Sequence, residues 1–77
     1  MFPLVITSVD SILFRGSARS VTCQGTEGLL TVLAHHMPFV TTLKPGTILV
    51  KTEEGEKEFA AQHGILEVHS GGATILL

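Results

Sequence analysis

The sequence has no tryptophan, no tyrosine and a single cysteine, and its only aromatic residues are four phenylalanines. A core must therefore be built mainly from valine, isoleucine and leucine. Cys23 has no partner for an internal disulfide, which predicts a reducing compartment. Positive charge is also scarce. Arg15, Arg19, Lys44, Lys51 and Lys57 are scattered along the chain, and the net charge is −2. That pattern excludes the basic footprint of nucleic-acid binding and a polybasic membrane-surface patch. No apolar run approaches the roughly 20 residues of a membrane-spanning helix. Met1-Phe2-Pro3-Leu4 lacks the basic segment that opens a secretory signal. Together these absences predict a soluble, cytosol-facing chain with no direct membrane insertion.

What is present is enough for one folded unit. The chain has 77 residues, of which 44% are hydrophobic, so it has room for one core and no excess of polar sequence to disorder it. Chains near this size gain only roughly 3–5 kcal/mol from a lone core, so a partner that buries further apolar area would help. No internal repeat, linker or low-complexity stretch divides the chain.

Turn signals recur at short intervals: Arg15-Gly16, Gly25 to Gly28, Pro38, Pro45-Gly46, Glu54-Gly55 and Ser70-Gly71-Gly72. The segments between them have strand length. Leu4 to Val9 is rich in β-branched residues. In Arg19 to Gln24, Val21 and Cys23 share one face and Ser20, Thr22 and Gln24 the other, the period of a half-buried strand. Ile48, Val50 and Thr52 alternate with Thr47, Leu49 and Lys51, Leu66 and Val68 alternate with Glu67 and His69, and Ala73 to Leu77 reads as a closing strand. Gly55 suits a hairpin tip that needs positive φ. Many strands and no helical period predict a sandwich or barrel.

The residues capable of chemistry do not assemble into a recognisable site. His35 and His36 are adjacent, so a strand would send them to opposite faces; a turn would let them converge, but no cysteine pair or carboxylate follows at zinc-like spacing. His63 and His69, taken on one strand, fall about 20 Å apart. Cys23 lies on an apolar face, where a thiol acts as a small hydrophobe. Glu53, Glu54, Glu56 and Glu58 surround a hairpin with Lys51 and Lys57, a solvated edge that discourages strand pairing. Glu67 faces either solvent or a partner. Gly25-Thr26-Glu27-Gly28 lacks the lysine and the following helix of a phosphate loop. The expectation is no catalytic residue, no metal and no cofactor.

Two segments depart from a plain surface. Leu29-Leu30-Thr31-Val32-Leu33 is apolar on both alternating faces, which predicts a strand covered on both sides. Ala34-His35-His36-Met37-Pro38-Phe39 is an apolar loop that either marks an interface or folds back over its own core.

Read in order, the segments resemble the N-terminal β-sandwich domain of the epsilon subunit of F-type ATP synthase, equivalent to the mitochondrial delta subunit. The resemblance rests on Leu13-Phe14-Arg15-Gly16-Ser17-Ala18, on Gly25-Thr26-Glu27-Gly28, and most of all on His36-Met37-Pro38-Phe39-Val40-Thr41-Thr42-Leu43-Lys44-Pro45-Gly46. Phe59 to Val68 and the closing Thr74-Ile75-Leu76 complete it, so it covers essentially the whole chain. Ala34-His35 stands where the family has proline–glycine, which predicts a different backbone path in that turn. Leu29 stands where a glutamate is common, and Gln62-His63 replaces a serine–glycine pair.

The resemblance implies an all-β fold, a flattened sandwich or barrel of about ten short, mostly antiparallel strands. It makes residues 1–77 one epsilon-type sandwich domain without the C-terminal helical hairpin that carries inhibitory and nucleotide-sensing roles in many members. It further implies a non-catalytic rotor subunit of the central stalk, with the gamma subunit and the membrane c-subunit ring as partners, on the cytoplasmic face of a bacterial inner membrane or its organelle equivalent. Ser8, Leu29, His36, Met37 and Pro38 are the expected contacts to gamma or the ring. A free-standing adaptor or ligand-binding β module is the alternative.

Overall fold

Phe2, Leu4 and Ile6 of the first strand, β1 (Phe2–Thr7), are buried while Pro3 and Val5 point outward. The same alternation organises most of the chain in the computed structural model, which describes residues 1–35 and 37–77. The other strands are β2 (Ile12–Ala18), β3 (Ser20–Gly25), β4 (Gly28–Leu33), β5 (Phe39–Leu43), β6 (Gly46–Thr52), β7 (Gly55–Ala61), β8 (Gly64–His69) and β9 (Gly72–Leu76). The described residues thus form nine strands where about ten were expected.

Hydrogen bonding runs in the order β2-β1-β9-β8-β5-β3-β6-β7, with β4 on the other side of β3. The link between β5 and β3 is a single pairing, Gly25 with Leu43, reinforced by the Lys44 amide donating to the Gln24 carbonyl at 2.8 Å. The sheet folds over at this corner into two layers, β2-β1-β9-β8-β5 and β4-β3-β6-β7. Every pairing is antiparallel except that of β1 with β9, which joins the two ends of the chain. The Leu77 amide donates to the Thr7 carbonyl at 2.8 Å and extends that junction.

The core between the layers is aliphatic, as the lack of large aromatics requires. Leu4, Ile6, Leu66 and Ile75 from one layer meet Val21, Val32, Ile48 and Val50 from the other, and Cys23 lies among them. Where the two edge strands of the hydrogen-bonded path approach each other, Phe14 of β2 and Phe59 of β7 meet edge to face, with ring centroids 6.1 Å apart and planes at 67°. Gly72 enters β9 at φ +140° with the Pro3 carbonyl where a Cβ would stand, so only glycine fits the start of that strand.

The opening strand ends at Thr7 rather than Val9, which is 95% exposed. The Ser8 hydroxyl accepts from the amides of Asp10 and Ser11 at 3.3 Å each, and the Ser8 amide donates to the Ser11 carbonyl. This local closure turns the chain before Val9 can pair. His63 lies in the turn before β8, not on the strand it was placed on. His35 adopts φ 66°, the left-handed backbone that glycine takes most easily, so the turn keeps a glycine-like path despite the substitution.

Candidate interaction surface

The side chains with reactive potential are dispersed. The Cys23 thiol is buried, and burial pushes its pKa up from 9.0 to about 11, the opposite of an activated nucleophile. Glu53, Glu54, Glu56 and Glu58 are all exposed around the β6–β7 hairpin, where Lys51 reaches Glu56 at 3.9 Å. Among the described residues no group of three or more histidine, cysteine, aspartate or glutamate side chains is placed to hold a metal ion. His69 is engaged by its own hairpin: Nδ1 accepts from the Gly71 amide at 3.2 Å, which leaves the ring proton on Nε2 facing Thr74 Oγ1 at 3.4 Å. A shallow cleft of about 200 Å³ lies beside it, lined by Phe2, Val32, Leu33, His35 and Val68 among others. None of the described helix or strand segments is a helix long and apolar enough to cross a membrane.

The surface itself is more distinctive. Strand register sets Thr42 of β5, Ile65 of β8, Leu76 of β9, Thr7 of β1 and Ile12 of β2 in one row across the outer face of the five-stranded layer. The next row holds Val40, Glu67, Thr74, Val5 and Arg15. Ile12, Val40, Ile65 and Leu76 are all exposed, Val40 to 65%. With strands about 4.8 Å apart, the aliphatic members of the first row, Ile65 to Ile12 with Thr7 between Leu76 and Ile12, span roughly 14 Å. Clustered exposed aliphatic side chains of this kind mark a contact surface. The parity of Glu67 and His69, which marks the outward side of β8, carries Ile65 with it, and that signal was legible in the sequence.

The five expected contact residues do not form one patch. Ser8 and Leu29 lie toward the corner end of the sandwich, with Leu43 and Leu77. Met37, 78% exposed, and Pro38 lie between β4 and β5 at the opposite end, about 17 Å away along a six-residue strand. Ser8 is occupied in closing its turn. His36 lies outside the described residues. The strand expected to be covered on both faces is covered on one: Leu30 and Val32 face the core, whereas Leu29 is 67% and Leu33 56% exposed. Among the described residues nothing covers them. Among the described residues of the loop after it, His35, Met37 and Pro38 are exposed, and Ala34 and Phe39 pack against the core.

These observations define the class first: a small β-sandwich that presents exposed aliphatic side chains on the outer faces of both layers. The chain belongs to the ATP synthase delta/epsilon-chain β-sandwich family, whose model, described as "ATP synthase, Delta/Epsilon chain, beta-sandwich domain", matches residues 1–77. Among curated relatives, the ATP synthase epsilon chain of Sinorhizobium fredii is 40% identical over 76 residues, spanning 97% of this chain and 57% of the relative. That of Bordetella avium is 36% identical over 72 residues, spanning 92% of this chain and 51% of the relative. The chain therefore spans little more than half the length of these relatives. Its fold superposes with a TM-score of 0.89 on a chain of the Euglena gracilis mitochondrial ATP synthase in an OSCP/F1/c-ring structure, at 27% identity, covering 97% of this chain and 49% of that one. A chain of the Tetrahymena thermophila central stalk and c-ring matches with a TM-score of 0.83 at 13% identity, over 97% of this chain and 61% of that one, a likeness of fold alone.

Proposed function

We propose that this chain is a non-catalytic coupling part of the rotor of a proton-translocating F-type ATP synthase, seated in the central stalk between the gamma subunit and the c-subunit ring. The observation that carries the reading is the exposed aliphatic row of Ile12, Ile65 and Leu76, with Val40 beside it, on the outer face of the β2-β1-β9-β8-β5 layer. A broad, flat and rigid face suits a neighbour that must turn with this domain as one body. Close packing of the aliphatic core beneath it gives the stiffness that torque transfer needs.

The split of Ser8 and Leu29 from Met37 and Pro38 supports the same reading, because a part that joins two neighbours needs contacts at separate places. In this assignment the aliphatic face meets gamma, and the end holding Met37 and Pro38 meets the ring. His36, the fifth expected contact, lies outside the described residues. The complex lies on the cytoplasmic face of a bacterial inner membrane or the equivalent side of an organelle membrane. Residues 1–77 act as one sandwich domain in this role, without nucleotide, metal or other cofactor. The alternative, a free-standing adaptor or ligand-binding module, has the cleft beside His69 in its favour.

The test is capture of the tagged chain from a native membrane fraction with identification of what accompanies it. Gamma and the catalytic subunits are the expected companions of the wild type, and the loss of both is expected for Ile65→Lys. Because Ile65 points away from the core, the thermal midpoint of the variant should stay within a few degrees of the wild type. A wild-type chain recovered without gamma, or an Ile65→Lys chain that assembles normally, would sink the assignment.

A further inference from the structure

We propose that the open edge of β4 pairs with β4 of a second copy of this chain, antiparallel, about a two-fold axis through Thr31. Apart from β5, whose second side is paired only at Leu43 beside the corner, the sandwich has three open strand edges among the described residues, and they are not alike. Strand β2 carries Arg15, and β7 carries Glu56, Lys57 and Glu58, charges that would oppose themselves or one another in a strand-to-strand pair. Strand β4 reads Gly-Leu-Leu-Thr-Val-Leu and carries none. An uncharged edge strand without proline is the kind that other chains pair with.

Ladder parity determines which groups that edge offers. The Gln24 carbonyl accepts from Lys44 on the far side of β3, so the Gln24 main chain faces away from β4. Its ladder partner Leu29 then presents its own amide and carbonyl away from β3, and alternation extends this to Thr31 and Leu33. All three residues direct main-chain donors and acceptors at the open edge.

The strand is also a chemical palindrome. Read from either end, Leu29-Leu30-Thr31-Val32-Leu33 gives leucine, aliphatic, threonine, aliphatic, leucine. An antiparallel pair centred on Thr31 sets Leu29 opposite Leu33 of the other copy twice, and Thr31 opposite itself. That register uses every outward amide and forms about six main-chain hydrogen bonds. It also adjoins Leu30 to Val32 on the core side, extending the hydrophobic interior across the axis. The strand register ends at Leu33, so the contact is carried by the strand itself. The Thr31 hydroxyl is held by Thr22 at 2.9 Å on the outer face, so it leaves the shared edge clear. An isologous contact of this kind closes on itself and stops at two copies. Its small area makes the association weak and reversible. It stands whether or not the stalk assignment does.

Position 31 is the only one in this register that faces its own copy, which gives a charge-exchange test. Sedimentation of the wild-type chain up to about 1 mM should show a shift from 8.2 kDa to twice that mass. Thr31→Lys alone and Thr31→Glu alone should each weaken the dimer by at least about tenfold, because like charges meet at the axis. An equal mixture of the two should associate more tightly than either alone. Circular dichroism establishes that each variant is folded. If one is not, Leu29→Lys combined with Leu33→Glu should keep the dimer, and Leu29→Lys combined with Leu33→Lys should lose it. A wild type that stays monomeric, a dimer indifferent to these charges, a mixture no tighter than its components, or growth beyond two copies would overturn the proposal.

Discussion

The thiol of Cys23 is 1% exposed, and its burial in the aliphatic core pushes its pKa from 9.0 to about 11. The folded state therefore holds this proton across a pH range where the unfolded chain has released it. Stability from this source is complete below pH 9, declines as pH rises, and is gone above about 11, a loss of about 2–3 kcal/mol in total. Urea unfolding of wild type and Cys23→Ala at pH 8, 9.5 and 11 should show the wild type losing that much more than the variant. Effects of pH elsewhere in the chain are common to both proteins and cancel in the comparison. Equal losses would mean the thiol is solvated. At this scale the sequence was informative wherever alternation placed a residue, as it did for Cys23, Ile48, Val50, Leu66 and Val68. It was uninformative where a hydroxyl decided the backbone: nothing in the pattern of Leu4 to Val9 shows that Ser8 closes a turn.

Strands β2 and β7 are the two ends of the hydrogen-bonded path, yet they come together through the edge-to-face contact of Phe14 and Phe59. Both rings are only partly buried against the core. Truncation of Phe59 to alanine should cost about 2–4 kcal/mol, somewhat below the cost for a fully buried phenylalanine. The double-mutant cycle with Phe14→Ala should leave a coupling of about 0.5–1.5 kcal/mol, measured by denaturant unfolding. A coupling near zero would show that the seam is held by its flanking strands and not by the rings. Strand β2 itself was hard to read. It lies at an edge, its register shifts between Ile6 and Thr7, and Ile12 and Leu13 are both exposed, so no period of two survives. Strand β4 is ambiguous in sequence for a related reason. Apolar residues on both faces indicate burial on both only when the cover belongs to the same chain, and here Leu29 and Leu33 remain open.

The first and last strands of the chain lie side by side at the centre of one layer, which has a consequence for the whole molecule. The layer that holds them cannot be completed from a local stretch of sequence, and the other, built within residues 20–61, has no core without it. One requires β1 and β9 together, and both share a single core and the corner where β5 runs into β6. Local alternation could reveal the strands but not this closure, since the pairing of Ile6 with Ile75 is 69 residues distant in sequence and leaves no local mark. A chain closed in this way should open as one unit. Hydrogen exchange at Leu66 and Ile75 in one layer, and at Val21 and Val50 in the other, should then report the same opening free energy to within about 1 kcal/mol. That value should match the global stability measured with denaturant. All four amides sit on strands paired on both sides, so local fraying does not shortcut them. Exchange at Leu66 and Ile75 several kcal/mol easier than at Val21 and Val50 would mean that the aliphatic face rides on a separately opening layer, and a part of that kind would yield under load before it could pass torque to a neighbour.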